Sequence, residues 1–338
     1  MHASNGMSRR HMLGMAGAAG AVALTGVRAA QAQATKGIEK LDPRLDRIIS
    51  TTEPIKEIAS GFGGDLGPAE GPVWWKEGGF LLFSDIHNNK RMKYTPGRGV
   101  TIDKEPTNRA NGLTRDLQGR LLACEHDSRR VTRQEQDGSL TVIANSFQGK
   151  RLNRPNDVVV KSDGAIYFTD PAASVQPENQ ELLYSGVYRV SADRGTMTLL
   201  MNHFINPNGL AFSPDESVLY IVDSRRRGIW AFDMLPNGLL AKQTERLFAD
   251  LSGNAPGNPD GIKVDVEGNV YTGGSGGIYI VDPQGKKLGR IAHGQPSTSN
   301  IAFGGDDWKT LYFTTRNTLG SVNVKIAGIP VPVPARKT

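Results

Sequence analysis

Residues 207–232 read Pro207-Asn-Gly-Leu-Ala-Phe-Ser-Pro-Asp-Glu-Ser-Val-Leu-Tyr-Ile-Val-Asp-Ser-Arg-Arg-Arg-Gly-Ile-Trp-Ala-Phe232. Three short apolar runs are separated by polar turns. Their alternation, their β-branched and aromatic content and the Pro214-Asp215 turn mark antiparallel strands rather than helix. An Asn-Gly pair opens the first run and an acid, Asp223, closes the second.

The unit recurs along the chain. Six segments start with Glu, Asn or Asp and continue into alternating apolar residues: Glu70-Gly-Pro-Val-Trp74, Asn111-Gly-Leu-Thr114, Asn156-Asp-Val-Val-Val160, Asn208-Gly-Leu-Ala-Phe212, Asp260-Gly-Ile-Lys-Val264 and Asn300-Ile-Ala-Phe303. Their starts are 41, 45, 52, 52 and 40 residues apart. Second strands follow at Phe80–Asp85, Leu121–Glu125, Ile166–Asp170 and Leu311–Thr315, and third strands at Gly186–Val190 and Gly277–Val281. Four short strands per unit at this period describe one propeller blade. The fold class is therefore all-β, a six-bladed β-propeller of four-stranded antiparallel blades. The sixth unit runs out before its outer strand. Ile55–Ala59, upstream of Glu70, is expected to supply it, so that an N-terminal strand in the last blade closes the ring and removes an exposed edge.

The chain has 338 residues, 38% of them hydrophobic, with 40 Gly and one Cys. This hydrophobic fraction excludes a disordered chain, and Gly without a three-residue period excludes collagen. A single cysteine excludes an intramolecular disulfide and a zinc site of several thiolates. The net charge of +6 is concentrated at the start, because residues 1–34 hold Arg9, Arg10 and Arg28 and no acid. The remaining +3 forms no basic stripe, so nucleic acid is not an expected partner.

Arg9-Arg10 precedes an uncharged stretch from Gly14 to Val27, and then come Ala30-Gln-Ala32 and Ala32-Gln-Ala34. This is an export signal of twin-arginine type with small-residue cleavage sites. Residues 1–34 are read as the signal peptide, 35–52 as an N-terminal extension, 53–325 as the propeller and 326–338 as a Pro-rich tail. The mature protein is expected to be periplasmic or secreted, delivered by the twin-arginine machinery, without a membrane segment, and monomeric by analogy with other propellers.

In a propeller the innermost strand of each blade lines the central channel. Glu70, Asn111, Asn156, Asn208, Asp260 and Asn300 hold equivalent positions and should converge on one axis. Oxygens meeting there need a cation or water between them. Asn, Asp and Gly also make the turns that enter strands. That alternative suits Asn111 and Asn300 best, and suits Glu70 least. Two carboxylates with amide oxygens form a hard site suited to Ca2+, Mg2+ or Mn2+, with Zn2+ admissible.

At these residues the sequence resembles the senescence-marker-protein/gluconolactonase (regucalcin-like) family of six-bladed propellers, as an exported bacterial member. The resemblance runs from about Glu53 to about Thr315. It rests on Ala69-Glu70-Gly71-Pro72-Val73-Trp74, Arg154-Pro155-Asn156-Asp157, Pro207-Asn208-Gly209-Leu210 and Pro259-Asp260-Gly261. It implies one divalent cation on Glu70, Asn208 and Asp260, with Asn156 near the metal or the substrate and Arg154 as a substrate contact. No match is found for the further acidic substrate contact of some members. The activity implied is hydrolysis of a sugar lactone, with a cation, Ca2+ first, polarising the carbonyl and Asp260 as general base. Metal hydroxide is the alternative base. Phosphotriester or organofluorophosphate hydrolysis on the same site, and a scaffold with a purely structural cation, are the alternative functions.

His126 and Glu125 fall 15 and 14 residues after Asn111, matching Asp85, Asp170 and Asp223 in their own units. Such strand ends reach one channel mouth, where His126, Asn111 and Asp170 are candidate substrate-side residues; fixing a turn is the commoner role for the acids. Gly273-Gly-Ser275-Gly-Gly277 has the serine-hydrolase spacing but lies between two strands, so it reads as a turn. Cys124 reads as a buried small hydrophobe. Of Trp74 and Trp75, one is expected in the core and the other more exposed.

Overall fold

The computed structural model describes residues 36–334 apart from Leu66, and the expected signal peptide over residues 1–34 lies outside the described residues. Every repeat unit forms an antiparallel sheet, with its ring residue on the innermost strand or, for Asn156 and Asp260, two residues before it. The six inner strands are Ala69–Trp75, Ala110–Arg115, Val158–Val160, Pro207–Phe212, Ile262–Val264 and Thr298–Gly304. Each packs beside the next in cyclic order, and the sixth returns to the first. Blades are numbered one to six in that order.

Ring closure is as the sequence predicts. Lys56–Ser60 pairs antiparallel with Thr318–Asn323, completing blade six with a strand from the other end of the domain. The seam is reinforced where Trp74 of blade one stacks on Tyr312 of blade six, with centroids 5.5 Å apart. Such aromatic pairs contribute about 0.5–1.5 kcal/mol beyond area burial. Trp74 is buried and Trp75 partly exposed, as alternation requires.

Blade five has one strand more than the repeat implies. Gly37–Lys40, from the N-terminal extension, pairs with Lys287–Ala292 on its outer edge. The 3-10 turn that follows, Pro43–Arg47, buries Leu45 in the core shared by blades five, six and one. The start of the tail is also incorporated: the Ile329 N–H donates to Val264 O, and Val331 packs against the cores on either side of blade one. Apolar side chains from facing blades form the remaining cores, with Tyr167 and Tyr188 fully buried.

Candidate functional site

The inner strands leave regular pairing at the ring motif. The register slips between Glu70 and Val73, Ala110 and Leu113, Pro207 and Leu210, and Thr298 and Asn300. A bulge of this kind re-aims side chains at a strand end. The glycine after the ring residue serves close packing between blades. A Cβ on Gly112 would lie 2.6 Å from Asn156 O, and one on Gly209 would lie 2.6 Å from Asp260 O. One on Gly261 would overlap the Asn300 side chain.

Blade three breaks the pattern, carrying Asp157 where blades one, two, four and five carry glycine. The sequence reading passed over this residue, and that substitution is the signal that identifies it. Asp157 is buried; its Oδ1 accepts from the Val158 N–H at 2.9 Å, and its Oδ2 is covered with no hydrogen-bond partner among the described residues.

Glu70, Asp157 and Asp260 lie at the end of the channel where the inner strands begin, close enough to repel one another. Burial pushes the Glu70 carboxyl up to about 7, with Asp157 adding repulsion and hydrogen bonds from Asn300 and Gly71 opposing it. Asp260 is driven well above the usual carboxylate range, first by desolvation and then by Glu70 and Asp157. Asp157 is raised chiefly by desolvation. Asn300 Nδ2 donates to Glu70 Oε2 at 2.9 Å, while Asn300 Oδ1 accepts from the Ile301 N–H at 2.8 Å. Asn300 thus organises the carboxylates. Asn208 Nδ2 donates to Ser224 Oγ at 3.2 Å, and the same amide hydrogen-bonds Asp260.

These groups fit a cation. Asp260 retains some exposed surface, yet its Oδ1 is fully covered and lacks a donor among the described residues. A carboxylate oxygen left dry and unpaired is costly, and the cost falls when a cation neutralises it. Among the described residues no three or more His, Cys, Asp or Glu side chains group as a metal site. A cation here would rest on two carboxylates, Glu70 and Asp260, supplemented by the amide oxygens of Asn156 and Asn208. Asn156 is anchored by its backbone, its N–H donating to Thr169 O and its carbonyl accepting from Gly112.

The mouth is built by the strand-end residues. His126 Nε2 and Asn111 Nδ2 lie 3.2 Å apart, both residues buried, and His126 Nδ1 and Asn111 Oδ1 have no partner among the described residues. Desolvation, then Arg154, His87 and Arg109, hold the imidazole neutral well below its ordinary pKa. The strand-end acids form a repeated latch. Asp170 accepts from the Asn153 and Arg154 N–H groups at 2.8 and 2.6 Å. Asp223 accepts from Ile205 and Asn206, and Asp85 from Gly63. Asp170, fully buried, thus sits behind the loop that carries Arg154 and positions it. Glu125 is tied to Asn108, Arg130 and Thr132.

Two other readings are settled locally. Ser275 sits in the hairpin between Val270–Gly274 and Gly277–Val281, its Oγ donating to Ala255 O at 2.8 Å, as a turn residue does. Cys124 is fully buried.

Residues 68–317 match the family described as the SMP-30/gluconolactonase/LRE-like region. The chain is 36% identical over 323 residues to the gluconolactonase of Zymomonas mobilis, covering 86% of this chain and 87% of that protein. It is 28% identical to the pentonolactonase XacC of Haloferax volcanii, over 73% of this chain and 80% of that one. Among solved structures, XC5397 of Xanthomonas campestris, described as a gluconolactonase, superposes with a TM-score of 0.77 at 30% identity, covering 86% of this chain and 95% of that one. With its six blades and its channel motifs in family order, the chain belongs to the SMP-30/gluconolactonase/LRE-like family.

Proposed function

We propose that the protein hydrolyses a sugar lactone of gluconolactone type to its hydroxy acid at the end of the channel where the inner strands begin. The observation that carries this reading is the pairing of Glu70 with Asp260, two carboxylates that repel each other while Asp260 Oδ1 is covered and has no hydrogen-bond partner among the described residues. Support comes from the lactonases among the relatives. Glu70, Asn156, Asn208 and Asp260 are the proposed holders of one divalent cation, Ca2+ first, which when bound supplies Lewis acidity to the lactone carbonyl.

The chain's own residues do the rest. Asp260 takes the proton from a water as its oxygen bonds the lactone carbon, and returns it to the ring oxygen as the acyl C–O bond breaks. Arg154, held by Asp170, presents donors to the sugar hydroxyls at the mouth. Asn111 and neutral His126 offer a donor and an acceptor beside them. Export belongs to the same proposal: Arg9-Arg10 and the small-residue sites before residue 35 support a periplasmic or secreted protein, which fractionation of cells expressing the full chain tests.

The functional test is acid release in a pH-stat from glucono-δ-lactone, xylonolactone and galactonolactone, after EDTA stripping and after restoring Ca2+, Mg2+, Mn2+ or Zn2+. Turnover that vanishes on stripping and returns with one ion is expected. No release above the spontaneous rate with any ion would overturn the lactonase reading.

A further inference from the structure

The inner strands finish at the rear end of the channel, opposite the ring residues. Arg115, Val160, Phe212 and Val264 are the last residues of the inner strands of blades two, three, four and five. All four line a cavity of about 290 Å3 at that end. Most of its wall is apolar, and the tail residues Ile329, Pro330, Val331, Val333 and Pro334 complete it.

The tail is tied down as it reaches this mouth. Ile326 enters the core shared by blades five, six and one. The Val266 N–H donates to Ala327 O at 2.9 Å, the Gly328 N–H to Trp308 O at 2.9 Å and the Ile329 N–H to Val264 O at 3.1 Å. Gly328 packs so closely on Phe303 of blade six that a Cβ would overlap the ring. The chain then crosses from one side of the propeller to the other. Ile329 packs on the core between blades four and five, and Val331 on the cores on either side of blade one. Pro332 meets Trp75 and Arg115 in a second cavity, of about 670 Å3, between blades one and two. Pro330, Pro332 and Pro334 carry no N–H, so the segment covers apolar side chains with few backbone donors to satisfy.

We infer that Ile326–Pro334 is a plug that seals the rear mouth and makes the channel blind. Whatever the channel binds then enters and leaves by the end that carries Glu70 and Asp260. The path of the tail is the reason. A segment that only trimmed the surface would lie along one blade, whereas this one runs from blades five and six to blades one and two over the ends of the inner strands. Its apolar side chains face an apolar opening, and covering that opening removes both surfaces from water. The inference rests on neither the cation nor the lactone, and its test needs neither.

Thiol labelling of the mature protein tests it. Lys263 lines the rear cavity and belongs to none of the apolar cores, so Lys263→Cys sets a reporter behind the plug. Arg109→Cys sets an exposed one at the opposite end, just before the inner strand of blade two, and fully buried Cys124 reports general opening. Each reporter is placed in the intact chain, in the chain carrying Ile329→Asp with Val331→Asp, and in a chain ended after Gly328. Rates with iodoacetamide and with a polyethylene-glycol maleimide are read by mass spectrometry. Opening the tail is expected to speed labelling of the Lys263→Cys thiol at least tenfold, with Arg109→Cys within about twofold and Cys124 unlabelled. A Lys263→Cys thiol that reacts as fast as Arg109→Cys when the tail is intact, or at a rate the tail variants leave unchanged, overturns the plug. Cys124 and Lys263→Cys rising together mark a strap that holds the blades rather than a seal, and that result overturns it too. If the shortened chain fails to fold, the full-length double substitution carries the same reading.

Discussion

Asn300 Nδ2 donates to Glu70 Oε2 at 2.9 Å, joining two residues 230 positions apart across the seam where the last blade meets the first. The bond makes ring closure and site assembly one event. The Gly71 N–H also bonds this oxygen from within blade one, at 2.8 Å, but the side-chain partner of Glu70 arrives only when blade six docks.

Replacing Asp260 by Asn removes a carboxylate while keeping the shape. The repulsion with Glu70 and Asp157 disappears. The variant is expected to fold, to melt no lower than the stripped wild type, and to lose lactone turnover by about 10^2–10^4-fold. Pairing acid-release rates with melting curves checks both halves.

Glu70 gives the cation-free protein a pH signature. Its folded-state pKa of about 7 lies above the ordinary 4.5, so folding favours the protonated form. That stabilisation is complete below about 4.5 and is lost as pH rises through about 7. Glu70→Gln, which mimics the protonated carboxyl, should therefore match wild type at pH 5 and exceed it at pH 8 when both are stripped. Buried His126 titrates in both proteins and cancels in the comparison. Equal unfolding midpoints in denaturant at both pH values would remove the argument.

Gly261 and Asn300 fit together without space for a methyl group. Gly261→Ala displaces Asn300 from Glu70 and should lower stability by about 1–3 kcal/mol. Cation affinity should fall with it. The control is Gly253→Ala, whose Cβ would meet the Ser275 side chain away from the ring; it should leave cation affinity unchanged.

Asp170 supports Arg154 through backbone bonds at 2.6 and 2.8 Å. Asp170→Asn replaces an acceptor by a donor that faces an N–H group, which costs about 1–3 kcal/mol. The loop carrying Arg154 loosens. KM is expected to rise by about 3–10-fold with kcat nearly unchanged, and steady-state kinetics at fixed pH distinguish this from a chemical role.

Much of this was legible because a propeller repeats itself. The spacing of Glu70, Asn111, Asn156, Asn208, Asp260 and Asn300 fixes blade number and inner strands, and the outer strand expected at Ile55–Ala59 forms one residue later, at Lys56–Ser60. Period-2 patterning does not reveal what an edge position will accept, so the fifth strand of blade five, Gly37–Lys40, went unseen. Gly71, Gly112, Gly209 and Gly261 look like turn residues in sequence, whereas three of them, Gly112, Gly209 and Gly261, lack a left-handed φ and serve the approach of the next blade. Asp157 hid inside a motif read for its asparagine. The latch made by Asp85, Asp170 and Asp223 shows as a common offset, but its partners are backbone N–H groups, to which any residue identity is compatible.

The pairing of Lys56–Ser60 with Thr318–Asn323 also sets a timetable for biosynthesis. Ser60 is opposite Thr318, about 260 residues later in the chain. At the usual 5–20 residues per second the early strand waits roughly 10–50 s for its partner to leave the ribosome. Blades one to five can form in order as they emerge, but the circle stays open until translation is nearly complete. The nascent protein therefore carries an unpaired strand edge through most of its synthesis, and that interval is when a chaperone has a segment to hold.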